Sequence, residues 1–379
     1  MGKYLNPTSQ YFKDCLGSAI YIDKSMLLAL TNRRIHTQQK YICVTHPRWF
    51  GKTMALEMLS AYYGCGEDTS PLFDDLKIVA DHSYREHLNR YDVIRINLQI
   101  FLDATCSVSE MIAMLEESVI SEVAGRYENV EYRDGSSLPL VMKDIFNVTG
   151  NSFVILIDDW DCPFQRYKHN YDALKMYHDF LRYWLKDQDY VALAYMTGML
   201  PIKKFGSHSS LDMFMEYSMT RSGHMAPYFG FTAEEVKALC DIHNMDFTEA
   251  RFWYEGYPLI TYSQYRDTKY VMYNPKSVVE ALLHKKFSVY WNESHRDESF
   301  IAYTQMNIPG LQDAVSRLVD GESVPIYIGT FLNDMTSLKL KDDVLTLLVH
   351  MGYLSYDEET NMVSIPNYEV RQIYNRGNL

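Results

Sequence analysis

The segment from His46 to Thr53 contains the residue types that bind phosphate groups. Its last three residues, Gly51-Lys52-Thr53, match the end of the phosphate-loop pattern GxxxxGK[ST]. In that pattern the lysine reaches the β- and γ-phosphates, the hydroxyl holds Mg²⁺, and backbone N–H groups surround the anion. His46 stands where the pattern has its first glycine, and Pro47 lacks an N–H donor. The candidate nucleotide-binding residues are His46, Pro47, Arg48, Trp49, Phe50, Gly51, Lys52 and Thr53.

A second candidate group of residues follows an apolar run. Phe153–Ile157 ends directly in Asp158 and Asp159. Ligands of open α/β sheets bind at the carboxyl ends of the strands, which is where these acids would lie. In a P-loop ATPase the first such acid helps to hold Mg²⁺, and the second orients or deprotonates the attacking water. We therefore predict Thr53 and Asp158 as metal-binding residues and Asp159 as the catalytic, water-activating residue.

Other residues could act on the γ-phosphate. Thr197 ends the last predicted strand of the sheet and could lie between the two motifs as a γ-phosphate sensor, although a strand-ending threonine can equally be a cap. Arg48 lies inside the loop, near the position of a γ-phosphate, and is a catalytic candidate. Lys203, Lys204 or Arg221 could also stabilise transition-state charge, but such residues are more often simply solvated.

Four short apolar runs are typical of buried parallel strands. Each is separated from the next by enough residues for a helix, and they are Tyr41–Thr45, Val93–Leu98, Phe153–Ile157 and Val191–Met196. This spacing predicts βαβ units and an α/β fold with a parallel sheet. The helix after the phosphate loop should turn an apolar face to the sheet and end at Gly64. A second long helix is predicted over Asp172–Leu185.

The composition changes near Gly223. Thr232 and Glu235 have the spacing of a capping box and predict a helix start. From there to about residue 300 the sequence indicates helices, with a turn at Trp253–Tyr257. We expect this part to form a helical, lid-like domain.

The last part of the chain has a different pattern. A helix predicted to end at Gly352 is followed by a hairpin with an acidic turn at Asp357–Glu359. Helices followed by a hairpin suggest a winged-helix-like module. The predicted fold is thus a P-loop NTPase core over residues 1–222, a helical lid over 223–304 and a winged-helix-like module over 305–379.

Composition and charge restrict the possible partners. The 379 residues carry a net charge of −13, and residues 311–379 hold five Lys or Arg against ten Asp or Glu. This balance does not support nucleic-acid binding, which requires basic groups beside phosphates. No apolar run is long enough to span a membrane, and the start of the chain lacks the apolar run of a signal peptide. The six cysteines are scattered and form no CxxC pair, so we expect free thiols in a cytoplasmic protein. Because the charge disfavours nucleic acid, we expect a protein partner or self-association.

The chain also resembles the bacterial AAA-ATPase-like family over nearly its whole length. The blocks that carry the resemblance occur in the same order, and they are HPRWFGKT, VILIDDWDCPF, MTGMLPIKKFGSHSSLDMF, YFGFTAEEVKAL and FLNDMTSLKLKDDVLTLLVHMGYLSYD. The resemblance implies a P-loop ATPase in which Gly51, Lys52 and Thr53 form the phosphate loop and Asp158 is the metal-binding acid. Members often carry a C-terminal domain similar to PD-(D/E)xK nucleases. This domain is absent before Leu379, so we expect a natural short form or a truncated chain.

Three positions differ from the usual family pattern. His46 and Trp49 replace arginines, and Asp159 replaces a glutamate. These changes bear on the rate of hydrolysis more than on nucleotide binding. We therefore expect an ATP- and Mg²⁺-dependent ATPase with regulatory or mechanical domain motion. The alternatives are a nucleotide-binding scaffold with little turnover, and a DNA-processing or defence factor acting with a nuclease in trans.

Overall fold

A computed structural model describes residues 2–202, 211–263, 266–291 and 298–376. The described residues form two compact units. The first comprises 2–44, 52–198 and 211–216, and the second comprises 45–51, 199–202 and the described residues from 217 onward. The phosphate-loop segment 45–51 thus packs as part of the second unit, although Lys52 and the helix that it opens belong to the first. The three-domain division remains a prediction.

A five-stranded sheet is the centre of the first unit. Its strands are β1 (Tyr41–Thr45), β2 (Asp92–Asn97), β3 (Phe153–Asp158), β4 (Val191–Gly198) and β5 (Met215–Tyr217), in the order β2-β3-β4-β1-β5. β3 runs parallel to both β2 and β4. Every residue of β1, β3 and β4 is buried, because helices cover both faces of a parallel sheet. The predicted α/β fold with a central parallel sheet is confirmed.

The helices of the first unit connect and cover these strands. They are α1 (Gln10–Leu16), α2 (Met26–Asn32), α3 (Lys52–Tyr63), α4 (Ser70–Phe73), α5 (Tyr84–His87), α6 (Leu98–Asp103), α7 (Val108–Arg126), α8 (Leu138–Thr149), α9 (Cys162–Arg166) and α10 (Tyr171–Leu185), with a 3-10 turn at Lys77–Ala80. As predicted, α3 ends immediately before Gly64. The predicted helix over 172–185 corresponds to α10, which Asn170 caps by accepting from the N–H of Ala173.

The second unit combines helices with two small antiparallel sheets. Its helices are α11 (Ala233–His243), α12 (Phe247–Tyr254), α13 (Pro275–His284), α14 (Glu298–Thr304), α15 (Leu311–Val319), α16 (Lys341–Met351) and α17 (Tyr368–Arg376), with 3-10 turns at Gly223–Tyr228 and Ile328–Thr330. Its strands are β6 (Glu255–Thr261), β7 (Thr268–Tyr273), β8 (Val324–Pro325), β9 (Ser355–Asp357) and β10 (Met362–Ser364). The predicted capping box of Thr232 and Glu235 opens α11.

The region from Thr232 to about residue 300, whose sequence indicated helices with a turn at Trp253–Tyr257, also contains strands. β6 and β7 form an antiparallel pair inside this region, and no turn separates α12 from β6 at Trp253–Tyr257. The register shifts beside Gly256, where a Cβ would lie 2.0 Å from the carbonyl oxygen of Pro366. The glycine therefore marks a close backbone contact within a strand rather than a turn.

The C-terminal part agrees with a winged-helix-like module. The predicted hairpin is present as β9 and β10, and β8 adds a third strand to it in the order β8-β10-β9. α16 ends at Gly352, whose φ of +85° is the left-handed conformation that favours glycine. In the parts of the chain that the structure describes, none of the helices combines the length and apolar character that crossing a membrane requires.

Candidate nucleotide-binding site

The carboxylate of Asp158 lies at the centre of the site in the first unit. It ends β3, is almost fully buried, and accepts three hydrogen bonds. The Thr53 hydroxyl donates to its Oδ2 at 2.9 Å, while the Thr197 hydroxyl and the backbone N–H of Asp159 donate to its Oδ1. Thr53 opens α3 and Thr197 lies near the end of β4. The structure therefore brings together three of the residues that the sequence singled out.

Asp159 follows β3 with a φ of +52°, a conformation that costs a non-glycine residue about 1 kcal/mol or more. Burial raises its pKa to about 6, and the nearby charges of Asp158 and Asp161 add to the effect. Lys52 and the amide of Asn97 oppose it, and that amide donates to Asp159 Oδ2 at 3.2 Å. The second acid is thus held at the sheet edge beside the phosphate-loop lysine.

The β4 strand lies between β1 and β3 in the sheet. In this order, Thr197 lies on a strand between the one that leads into the phosphate loop and the one that ends in the acids. Its side chain is fully buried and its hydroxyl donates to Asp158. The role of Thr197 as a γ-phosphate sensor remains a prediction, and the contact that the structure shows is with Asp158.

The backbone of the phosphate loop alternates between the two halves of φ space. Trp49 has a φ of +69° and Gly51 a φ of +87°, whereas Phe50 between them does not have a positive φ. Alternating conformations of this kind turn successive N–H groups toward one side and form an anion-binding concavity. The loop therefore has the backbone alternation of an anion-binding loop even though His46 replaces the first glycine of the pattern.

Side chains of the loop pack into the second unit. Phe50 is fully buried, with its ring edge-to-face against Tyr257 at 5.2 Å between centroids. His46 is also fully buried, and its ring lies 5.0 Å from that of Phe229. Pro47 is so close to Gly352 that a Cβ there would lie 2.8 Å from the proline. His46 and Pro47 thus serve as packing residues of the loop.

Arg48 and Trp49 are exposed residues in the middle of the loop. The Lys276 ammonium lies 4.5 Å from the centroid of the Trp49 ring, a cation–π contact. The backbone carbonyl of Arg48 accepts from the Asn274 side chain at 3.3 Å. The exposed guanidinium of Arg48 leaves its predicted catalytic role open.

The other basic candidates are not brought to the site by any described contact. Arg221 forms a tight backbone turn with Ser218 in the second unit. Lys203 and Lys204 lie outside the residues that the structure describes.

Sequence reasoning missed several residues that contact the predicted site, among them Asn97 and Asn274. Asn97 ends β2, so the rule that drew attention to acids at strand ends could have identified it. Asn274 lies 226 residues from Arg48 along the chain, and nothing local in the sequence marks this contact.

A strand, a phosphate loop ending in Gly-Lys-Thr, a helix, and an acid at the end of β3 define the fold and site of a P-loop ATPase. A family model described as "Predicted AAA-ATPase" matches residues 9–207, more than half of the chain. The chain therefore belongs to the AAA-ATPase-like family, as its motifs predicted. No curated protein matches this chain.

Several solved structures are distantly similar, among them the following three. A Walker-type ATPase of Pyrococcus abyssi has 12% identity and a TM-score of 0.43, with 93% of this chain and 94% of that chain covered. Cdc6p of Pyrobaculum aerophilum has 10% identity and a TM-score of 0.28, with coverages of 93% and 92%. The ORC2 protein of Aeropyrum pernix, described as ADPNP–ADP complexes, has 9% identity and a TM-score of 0.33, with coverages of 95% and 96%. Similarities this distant carry no functional conclusion.

Proposed function

We propose that this chain binds ATP with Mg²⁺ at the 46–53 loop and hydrolyses it, with Lys52 on the phosphates. The observation that carries the proposal is the hydrogen bond from Thr53 to Asp158 at 2.9 Å. These residues are 105 positions apart and come from the two motifs that hold the metal in P-loop ATPases. Their contact at the edge of the sheet supports the proposal that both residues bind the same metal ion.

Thr53 and Asp158 fit a magnesium ion by their chemistry. A hydroxyl and a carboxylate are hard oxygen ligands, and Mg²⁺ usually takes one or two such protein groups together with substrate phosphates. A bound Mg²⁺ would neutralise charge that develops on the phosphate oxygens. The bond from Thr197 to Asp158 would keep the carboxylate in a fixed orientation.

Asp159 is the proposed water-activating residue. It follows the metal-site acid directly, and the Asn97 amide holds its Oδ2. Asp159→Asn should therefore reduce phosphate release from ATP by about 100-fold or more, the usual contribution of a general base. The matched control is Asp172→Asn, which changes an exposed acid at the start of α10 and should leave the rate unchanged.

A scaffold that binds nucleotide with little turnover is the second candidate. His46 and Trp49 stand where the family usually has arginines. The loop therefore has fewer positive charges to stabilise the transition state, which favours slow hydrolysis. Equal phosphate release from the parent and Asp159→Asn, together with undiminished ATP binding, would support the scaffold and reject the ATPase.

A role in DNA processing with a nuclease in trans is the third candidate. The acidic turn of the winged-helix-like module weighs against direct DNA contact, because carboxylates repel phosphates. The nearby Lys269 is already paired with Asp357 and Glu359, at 2.8 and 2.9 Å. We propose instead that the module contacts a protein partner or a second copy, with nucleotide-dependent domain motion. A mobility shift of duplex DNA by the full chain at physiological salt would contradict this proposal.

A further inference from the structure

The backbone of the phosphate loop is held by two hydrogen bonds from residues far along the chain. The amide of Asn274 donates to the Arg48 carbonyl at 3.3 Å. The backbone N–H of Gly230 donates to the Phe50 carbonyl at 3.0 Å. Both donors and both acceptors lie in the second unit, so the contacts belong to a single compact body.

The planarity of the peptide group gives these bonds a consequence for the opposite side of the loop. In a trans peptide the C=O of one residue and the N–H of the next point in opposite directions. A carbonyl of Arg48 fixed on Asn274 therefore directs the N–H of Trp49 away from Asn274. Likewise, because the Phe50 carbonyl is bound to Gly230, the N–H of Gly51 points away from Gly230.

The two residues whose N–H groups are oriented in this way, Trp49 and Gly51, are also the loop residues with a left-handed backbone. Trp49 and Gly51 have φ values of +69° and +87°, the conformations that bring N–H groups together in an anion-binding concavity. The left-handed state is unfavourable for tryptophan by about 1 kcal/mol or more. Something outside the loop must stabilise it, and the Asn274 bond acts on the adjoining peptide.

The Asn274 side chain is buried and has two separate functions in the structure. Its Oδ1 accepts from the N–H groups of Lys276 and Ser277, which caps α13. Its Nδ2 is the group that holds Arg48. Because the two functions use different atoms of one amide, a substitution can remove the loop contact and keep the cap.

We propose that Asn274 is a positioning residue that aims the phosphate-binding N–H groups of the loop. The inference rests on the proposed nucleotide binding and adds the element that orients the site. Asn274 acts through the Arg48 carbonyl. Through this bond, the affinity of the loop for phosphate depends on the packing of the second unit, to which Asn274 belongs.

The test compares Asn274→Ser with Asn170→Ser. Serine caps helices about as well as asparagine, but it lacks the amide that reaches Arg48. Asn170 caps α10 in the same way. It is exposed and lies far from the loop in the sequence. Calorimetric titrations with ATP·Mg²⁺ and with pyrophosphate would be recorded for the parent, both variants and Lys52→Ala, with the Tm of each unliganded protein.

We expect Asn274→Ser to bind ATP and pyrophosphate about tenfold more weakly, the effect of one hydrogen bond, and Asn170→Ser to bind both as the parent does. Equal affinity of the parent and Asn274→Ser, with binding still dependent on Lys52, would overturn the positioning role alone. Absence of Lys52-dependent binding in the parent would instead overturn the proposed function.

A second variant covers the case in which Asn274→Ser lowers the Tm more than Asn170→Ser does. Asn274→Thr keeps an acceptor for the cap, adds no charge at this buried position and has no amide N–H for Arg48, so it should also weaken pyrophosphate binding about tenfold. Affinity equal to that of the parent would again reject the proposal.

Discussion

The Glu369 side chain, in α17, should make the stability of this protein depend on pH. It is fully buried, and its Oε1 accepts from the backbone N–H groups of Tyr290 and Trp291. Burial raises the pKa of its carboxyl to about 7, although those two N–H groups and the charge of Lys276 favour the ionised form. The folded protein thus holds the proton more tightly than the unfolded chain does.

The size and sign of the effect follow from the two pKa values. Below about pH 4.5 the carboxyl is protonated in both states and costs nothing. As the pH rises toward 7, only the unfolded chain releases the proton, so the free energy of unfolding falls. A rise of the pKa from 4.5 to about 7 corresponds to about 3 kcal/mol, since a tenfold change in proton affinity is about 1.4 kcal/mol. The full cost is present above pH 7.

Glu369→Gln keeps an acceptor for the two backbone N–H groups and cannot ionise. Urea unfolding at pH 4.5 and pH 8 should show the variant gaining about 3 kcal/mol over the parent between these pH values. Glu249→Gln, at an exposed position of α12, is the control and should show no comparable gain. A constant difference between Glu369→Gln and the parent across this range would refute the reasoning.

Three further predictions concern the loop and the metal-site acid. Trp49→Gly should have a free energy of unfolding about 1 kcal/mol higher than Trp49→Ala, because both lose the ring and only glycine adopts a φ of +69° without strain; equal stability of the two variants would contradict this. Gly230→Ala should lower the Tm more than Gly150→Ala, since both have positive φ but only at 230 would a Cβ meet a backbone carbonyl, at 3.1 Å; equal Tm losses would show that the contact is unimportant. Thr197→Val should weaken Mg²⁺-dependent ATP binding about tenfold and Thr197→Ser should not, because serine keeps the hydroxyl that donates to Asp158; equal titrations for the two variants would reject this role.

The parts of the fold that depend on local pattern could be predicted from the sequence. Strands β1, β3 and β4 are nearly continuous apolar runs because both faces of the sheet are covered, and β3 ends in the predicted acid. The capping box of Thr232 and Glu235 and the helix end at Gly352 are also local signals, and the structure contains both. The family prediction rested on whole motifs and is confirmed by the family match over residues 9–207.

The remaining features depend on contacts between distant residues. β6 and β7 stabilise each other by pairing, and neither run has an alternation clear enough to separate a strand from a helix. The contact of Asn274 with the phosphate loop joins residues that are 226 positions apart. Asparagine is a common helix cap, but only the fold shows what the other amide atom of Asn274 contacts.

Equilibrium binding of ATP in the presence of Mg²⁺ to the parent and to Lys52→Ala tests the central claim most directly. The account predicts saturable binding to the parent, weakened about tenfold or more in Lys52→Ala because the ammonium that faces the phosphates is lost. Lys40→Ala is a matched control, since Lys40 precedes β1 and bonds the carbonyls of Gln188 and Val191. Binding of equal strength to the parent and Lys52→Ala would contradict a nucleotide site at this loop.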